Sequence, residues 1–160
     1  MSNSQTKPKV FTVSVDYGQS TESFHQNERL NIANDFDYLL RPMTNGSGKR
    51  SRLMRVFKPK DSNGTAVTTE QLRIFIRKYD CRFAEIRELA AFAQTQTDMI
   101  EVGREIIAPG SITSLNQHWV VPFASYGVDG HIDIGMIQVA EDTVLSDDDR
   151  ILAVCGTLKE

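Results

Sequence analysis

Hydrophobic and polar residues alternate along this chain with two different periods, and each period predicts one kind of element. Residues 10–15 alternate β-branched or aromatic side chains with small polar ones, and Asp16-Tyr17-Gly18 follows, so this segment predicts a strand at the edge of the core. The polar stretch 20–34 predicts a loop or a short helix. Thr68 precedes Gln71 by three residues, the spacing of a helix capping box, so a helix is expected to begin there.

Two amphipathic helices are expected after this capping box, separated by a break near Asp80-Cys81. The apolar positions that recur at helical spacing are Leu72, Phe75, Ile76 and Tyr79 in the first helix, and Phe83, Ile86, Leu89, Ala90 and Ala93 in the second. The charged positions fall between them, and we expect these side chains to face solvent: Arg73, Arg77 and Lys78 in the first helix, and Arg82, Glu85 and Glu88 in the second.

Strand patterns lie on both sides of the helices. Residues 36–40 and 53–57 alternate in polarity around a flexible segment, 43–48, and predict a hairpin. After the helices, short apolar runs are separated by turns, and these runs are Trp119–Val121, Ile132–Ile134, Met136–Val139 and Ile151–Val154. Among the turns, Asp129-Gly130 is the clearest hairpin signal.

The composition is that of a globular domain. The chain has 160 residues, of which 40% are hydrophobic and 24% charged, close to the average for soluble domains. Together with the element pattern, this predicts a single α+β domain over residues 10–160, an antiparallel sheet with a two-helix layer, after a flexible N-terminal tail at residues 1–9. No apolar run reaches the roughly 18–20 residues that cross a bilayer, so no membrane partner is expected. Two cysteines, Cys81 and Cys155, are too few for a disulfide framework, and a reducing cytoplasm is the expected compartment.

The net charge of −3 conceals three blocks of different sign. Residues 1–40 carry a net charge of −2, residues 41–87 carry +8, and residues 88–160 carry −9. The densest basic run extends from Arg41 to Lys60 without an acidic residue. We expect this run to form a surface that binds an acidic partner protein, which favours a non-enzymatic interaction or regulatory module. The candidate contact residues are Arg50, Arg52, Arg55, Lys58 and Lys60.

Two other interpretations of the charge layout stay open. A nucleic acid could bind the same basic run through its phosphates. However, a pI of about 5.6 and a single aromatic residue within the run, Phe57, are not typical of a nucleic-acid-binding domain. The basic and acidic blocks could instead face each other inside the fold or between subunits, which leaves self-association open.

Residues able to carry chemistry are sparse. Asp129, His131 and Asp133 alternate after a turn, so their side chains would share one face of a strand and could bind a divalent metal ion or hold a general base. His118 would have to join them from a neighbouring strand. A small metal-dependent hydrolase is therefore the second alternative, while the favoured hypothesis predicts no catalytic residue, metal ion or cofactor. Cys81 is interpreted as a structural cysteine rather than a nucleophile.

Five segments, in order along the chain, resemble a family of small uncharacterised bacterial proteins. These segments are Val15-Asp16-Tyr17, Glu85–Phe92, Ile106–Ser111, Val121-Pro122 and Arg150–Val154. The resemblance extends over most of the chain and implies a bacterial origin and one α+β domain. Because the family has no established activity, the resemblance implies no catalytic role for any residue.

Overall fold

Nine strands form one mixed sheet in the computed structural model, which describes residues 9–33, 48–60, 63–96, 104–115, 118–127, 129–140 and 143–156. The strands are β1 (Val10–Asp16), β2 (Leu30–Ile32), β3 (Lys49–Phe57), β4 (Cys81–Phe83), β5 (Ile106–Ile107), β6 (Thr113–Leu115), β7 (His118–Tyr126), β8 (Ile132–Gln138) and β9 (Arg150–Cys155). Their order is β1-β3-β9-β5-β7-β8-β2, with β4 also paired to β9 and β6 to β7. The pairs β2–β8 and β5–β9 are parallel, and the others are antiparallel.

The central strand is β9, which pairs with β3 on one side and with β4 and β5 on the other. Leu152 and Val154 belong to one buried hydrophobic cluster, and Ile151 and Ala153 belong to a second. Because successive side chains of a strand point to opposite faces, both faces of the sheet are apolar at its centre, and each face needs a covering element.

Within the described ranges, three α-helices lie between the strands: α1 (Thr21–His25), α2 (Thr69–Arg77) and α3 (Ile86–Thr95). A 3₁₀ turn follows at Pro109–Ser111. Helix α3 packs in the cluster of Leu152, whereas α2 packs in the cluster of Ile151. The predicted α+β class is confirmed, and the two longer helices cover opposite faces of the sheet instead of lying side by side.

The two longer helices begin differently from each other. Helix α2 begins as predicted, because the Thr68 hydroxyl accepts a hydrogen bond from the Gln71 N–H at 3.2 Å and the Gln71 side chain accepts one from the Thr68 N–H at 3.0 Å. The second helix does not begin near Phe83, because Cys81–Phe83 forms β4. Phe83 lies two residues after Cys81, which is strand spacing, and three residues before Ile86, which is helical spacing. The apolar pattern alone therefore could not distinguish a strand from a helix at Phe83.

The N-terminal predictions agree with the structure over residues 10–29, whereas the strand at Leu30–Ile32 was not predicted. Strand β1 matches the predicted edge strand, and the stretch 20–34 contains α1 and β2. Residues 1–8 of the predicted tail and residues 36–40, the first strand of the predicted hairpin, lie outside the described residues. The second strand of that hairpin is β3, whose residues Leu53 to Arg55 pair with β1 and β9 on its two sides.

The C-terminal half contains the predicted β7–β8 hairpin. Gly130 has φ 82°, a conformation that favours glycine, and the Gly127 N–H donates a hydrogen bond to the His131 carbonyl at 2.7 Å. The predicted strands Ile132–Ile134 and Met136–Val139 merge into the single strand β8. No α-helix in the described part of the chain has the length and apolar character needed to cross a membrane.

Candidate functional site

The basic run does not form one surface, because β3 sends its side chains to opposite faces of the sheet. Arg50 and Arg52 lie on the α3 side with buried Met54, and Arg52 is only 5% exposed. Arg55 lies on the α2 side, with its guanidinium carbon 6.0 Å from the centre of the Tyr79 ring. Of these three arginines only Arg50 is exposed on the strand, and Arg55 is half-buried.

The two lysines of the predicted surface lie after the end of β3. Lys58 is exposed, whereas the Lys60 ammonium is 3.3 Å from a carboxylate oxygen of Asp147. Asp147 belongs to the acidic C-terminal block, so basic and acidic blocks face each other at this point of the fold. The five predicted contact residues therefore do not share one surface. Arg50 and Arg52 lie on one face of the sheet and Arg55 on the other, Arg52 is buried, and Lys60 is paired with Asp147 of the same chain.

Arg52 belongs to a buried ionic network that connects β3 to α3. Its Nε donates a hydrogen bond to the Tyr17 hydroxyl at 2.8 Å, and that hydroxyl donates to Glu88 Oε2 at 2.6 Å. Arg82 donates from its two terminal nitrogens to the two oxygens of Glu88 at 2.8 and 2.7 Å. The Glu85 N–H donates to Glu88 Oε1 at 2.8 Å. These five residues, Tyr17, Arg52, Arg82, Glu85 and Glu88, form the buried ionic network.

The network raises the pKa values of two of its members, Tyr17 and Arg82. Burial, together with the hydrogen bond and the charge of Glu88, raises the pKa of Tyr17 to about 12. Burial alone would lower the pKa of Arg82, but the hydrogen bonds and the charge of Glu88 outweigh it and raise that pKa. Tyr17 is therefore neutral and Arg82 charged, which suits a structural clamp better than an acid–base catalyst.

The prediction that Glu85 and Glu88 face solvent is wrong, since their exposed fractions are 2% and 0%. Glu85 precedes α3, and the Glu88 carboxylate turns back to the N-terminus of that helix. The helical period cannot detect either feature. The available signal was the three-residue spacing of the two glutamates, which matches the N-cap and N3 positions of a capping box.

A cleft of about 340 Å³ lies between α2, β4 and the 3₁₀ turn. Arg73 and Arg77 are four residues apart, so they leave α2 on the same face, and Arg82 enters from β4. We call this cavity the arginine cleft. Its remaining lining residues are Cys81, Phe83, Glu85, Pro109, Gly110 and Ile112.

Gly110 brings the 3₁₀ turn against the segment between β4 and α3. Its N–H donates a hydrogen bond to the Ala84 carbonyl at 2.9 Å, and an added Cβ would lie 2.6 Å from that carbonyl oxygen. The Ser111 hydroxyl accepts a hydrogen bond from the Ile86 N–H at 2.7 Å. One wall of the arginine cleft is therefore built from backbone that only glycine allows to approach so closely.

The three arginines of the cleft are held to different degrees. Arg82 is fixed by Glu88, and Arg73 is paired with Glu70 on the next turn of α2. Arg77 is exposed in the last turn of α2. Guanidinium groups bind carboxylates and phosphates through two parallel hydrogen bonds, so the cleft has the chemistry to bind an anionic group.

Cys81 and Cys155 face each other on β4 and β9 and form a disulfide bond. Cys81 is buried and lines the arginine cleft, and it belongs to a strand instead of lying near a helix start. The structural role predicted for Cys81 agrees with this arrangement. Disulfides are rare in reducing compartments, so the bond does not support the compartment inferred from the low cysteine count.

Asp129, His131 and Asp133 lie close together at the β7–β8 turn, as predicted. A carboxylate oxygen of Asp129 is 3.2 Å from His131 Nδ1, and the Asn31 side chain donates to Asp129 and Asp133 at 3.3 and 3.0 Å. The pKa of Asp129 is lowered, mainly by the hydrogen bond that its carboxylate accepts from the His131 backbone N–H. His118 lies at the far end of β7 and does not join them. Within the described ranges, no group of three or more His, Cys, Asp or Glu residues is placed to hold a metal ion.

No family model matches the chain, and no curated protein or solved structure matches it either. The resemblance to small uncharacterised bacterial proteins therefore stays a prediction. The function has to be inferred from the arginine cleft itself.

Proposed function

We propose that the protein is a non-enzymatic interaction module that binds an acidic segment of a partner protein in the arginine cleft. The supporting observation is that Arg73, Arg77 and Arg82, which come from two different elements, line one cavity of about 340 Å³. A carboxylate of the partner would pair with the exposed guanidinium group of Arg77, while Arg73 and Arg82, which are already paired with Glu70 and Glu88, add positive charge beside it. The proposed acid-binding residues therefore lie on α2 and β4 and not on β3 as the sequence predicted, although both sets belong to the basic block of residues 41–87.

The charges around the cleft favour a short acidic ligand over a long polyanion. Glu85 lines the cleft beside the arginines, and residues 88–160 carry a net charge of −9. A nucleic acid would bring many phosphates close to this acidic half of the chain, whereas a short peptide needs to contact only the arginines. The apolar lining residues, such as Phe83 and Ile112, can pack against the stems of peptide side chains.

Charge reversal at Arg77 tests the proposal. Arg77 is exposed, so Arg77→Glu changes the charge of the cleft without opening the core. We expect this variant to bind a fluorescein-labelled oligoglutamate peptide at least about tenfold more weakly, as measured by fluorescence anisotropy at about 50 mM salt. The matched control is Arg50→Glu, an exposed position on β3 that lies outside the cleft, and its affinity for the peptide should be unchanged. Circular dichroism checks that both variants are folded.

Two results would contradict the proposal. If Arg50→Glu abolishes peptide binding and Arg77→Glu does not, the acid-binding surface lies on β3. If single-stranded oligothymidylate binds more tightly than the peptide, and its affinity falls steeply between about 50 and about 200 mM salt, the ligand is a nucleic acid.

The proposed setting is the bacterial cytoplasm, which requires that the Cys81–Cys155 bond be open there or resist reduction. Rapid acid quenching of the cells, alkylation of thiols in denaturant and mass spectrometry of the protein test this setting, because Cys81 is buried in the folded chain. Modification of both cysteines would agree with a reducing cytoplasm. An unmodified pair in an oxidising compartment would contradict it.

A further inference from the structure

A second cavity adjoins the arginine cleft. This cavity has a volume of about 140 Å³ and shares Arg73 and Ile112 with the arginine cleft. We call it the tryptophan pocket, and its other lining residues are Thr69, Glu70, Trp119, Val139 and Ala140. The two cavities are therefore neighbours, and we treat them together as one groove with Arg77 and Arg82 at one end and Trp119 at the other.

Trp119 is the largest apolar side chain that lines the tryptophan pocket. It lies on β7 two residues before buried Val121, so its side chain is on the α2 side of the sheet. Its carbonyl accepts a hydrogen bond from the Val139 N–H at 2.9 Å. The Trp119 side chain is 53% exposed, and Ile112 is 37% exposed. Exposed tryptophan beside arginine is typical of the residues that dominate protein–protein binding energy.

We propose that the tryptophan pocket is a second subsite and that the ligand is an acidic peptide segment of a partner protein that carries one aromatic side chain. This inference rests on the proposed function and specifies its ligand. A cavity of about 150 Å³ accommodates benzene, so the tryptophan pocket, at about 140 Å³, is close to the size of one aromatic ring. Such a ring would bury apolar surface against Trp119 and Ile112.

Glu70 determines which way the peptide lies in the groove. It lines the tryptophan pocket and is paired with Arg73, so the arginine at this end of the groove already has a counter-ion. The carboxylates of the ligand are therefore directed to Arg77, which is exposed at the other end. The aromatic side chain is directed to Trp119.

Trp119 is the only tryptophan in the chain, so its fluorescence reports directly on the tryptophan pocket. The probes are oligoglutamate peptides that carry one phenylalanine at successive positions, and matched peptides with alanine at the same positions. At the best position, we expect the phenylalanine peptide to bind at least about tenfold more tightly than the alanine peptide. We also expect it to shift the Trp119 emission to shorter wavelength, whereas the alanine peptide should bind without a shift.

Substitution of Trp119 separates this inference from the proposed function. Trp119→Ala should lower the affinity for the phenylalanine peptide to that of the alanine peptide and leave the affinity for the alanine peptide unchanged. The control Ile74→Ala removes an exposed apolar side chain of α2 outside the groove and should change neither affinity.

Three outcomes are decisive. Equal affinities for the two peptides, both lost in Arg77→Glu, would overturn the aromatic subsite and leave the proposed function standing. Absence of binding by either peptide would overturn both. Binding of the phenylalanine peptide that Arg77→Glu does not weaken would contradict the proposed function.

Discussion

Glu88→Gln is the substitution that tests the buried ionic network most directly. Each oxygen of Glu88 accepts two hydrogen bonds: Oε1 from Arg82 and from the Glu85 N–H, and Oε2 from Arg82 and from Tyr17. Glutamine has nearly the same volume but only one oxygen, and its NH₂ group donates instead of accepting. Whichever way the amide is oriented, two of these hydrogen bonds lose their acceptor and the Arg82 charge loses its counter-ion.

The expected loss of stability is large for a single substitution. Removal of one partner from a buried ion pair costs about 3–5 kcal/mol. The Arg82 side chain keeps some contact with solvent, so we take the lower end, about 3 kcal/mol. For a chain of this size, a change of 1 kcal/mol shifts the melting temperature by about 2–4 °C, so the expected decrease is about 6–12 °C.

Urea unfolding followed by circular dichroism measures this loss. Glu70→Gln is the matched control, because it makes the same chemical change in the Glu70–Arg73 pair, whose side chains are 49% and 46% exposed. We expect that control to change the free energy of unfolding by less than about 0.5 kcal/mol. A loss below about 1 kcal/mol for Glu88→Gln, or equal losses for the two variants, would refute the stabilising role of the network.

The raised pKa of Tyr17, about 12 against 10.0, means that its contribution to stability is complete below about pH 10 and is lost as the pH rises through about 12. Tyr17→Phe should therefore flatten the alkaline fall in the free energy of unfolding, and a fall as steep as that of the unsubstituted protein would count against this cause. Gly110→Ala should lower the free energy of unfolding by about 1–3 kcal/mol, because the added Cβ would lie 2.6 Å from a backbone oxygen. Gly18→Ala, whose Cβ would meet a side-chain atom at 3.5 Å, should change it by less than about 0.5 kcal/mol, and similar losses for both would disprove the close approach. Reduction of the Cys81–Cys155 bond, which joins residues 74 positions apart, should lower the free energy of unfolding by about 2–4 kcal/mol. A dithiol should not change the free energy of unfolding of the variant with alanine at both positions. If the dithiol destabilised this variant as much as the unsubstituted protein, the prediction would be wrong.

The elements predicted correctly are those whose signal is local. The alternation at residues 10–15, the Thr68 capping box and the Asp129-Gly130 turn each specify a structure within a few residues, and β1, α2 and the β7–β8 hairpin follow from them. The error at Phe83 arises where two periods coincide. Pairing of β4 with β9 then selects the strand, and this pairing joins residues far apart in sequence.

The binding residues show the same division. The chain contains a basic block at residues 41–87, and the expectation of an acidic ligand came from it. The densest basic run does not form the predicted binding surface. Side chains of a strand alternate between its two faces, so Arg52 is buried and Arg55 lies on the opposite face of the sheet. The arginines that converge are Arg73 and Arg77, which the helical period correctly placed on one polar face, and Arg82, which it placed in solvent.

By itself, the sequence determined the class of the fold, the beginning of α2, the turn of the last hairpin and the positive charge of the central block, because propensity, capping and charge act between near neighbours. Only the tertiary structure decided that the two longer helices cover opposite faces, that Glu88 is buried under Arg82, and that the arginine cleft meets the tryptophan pocket. Each of these depends on how distant strands pair around β9. Local periodicity does not contain that information, because a charged residue looks the same in sequence whether its partner is water or a side chain from another strand.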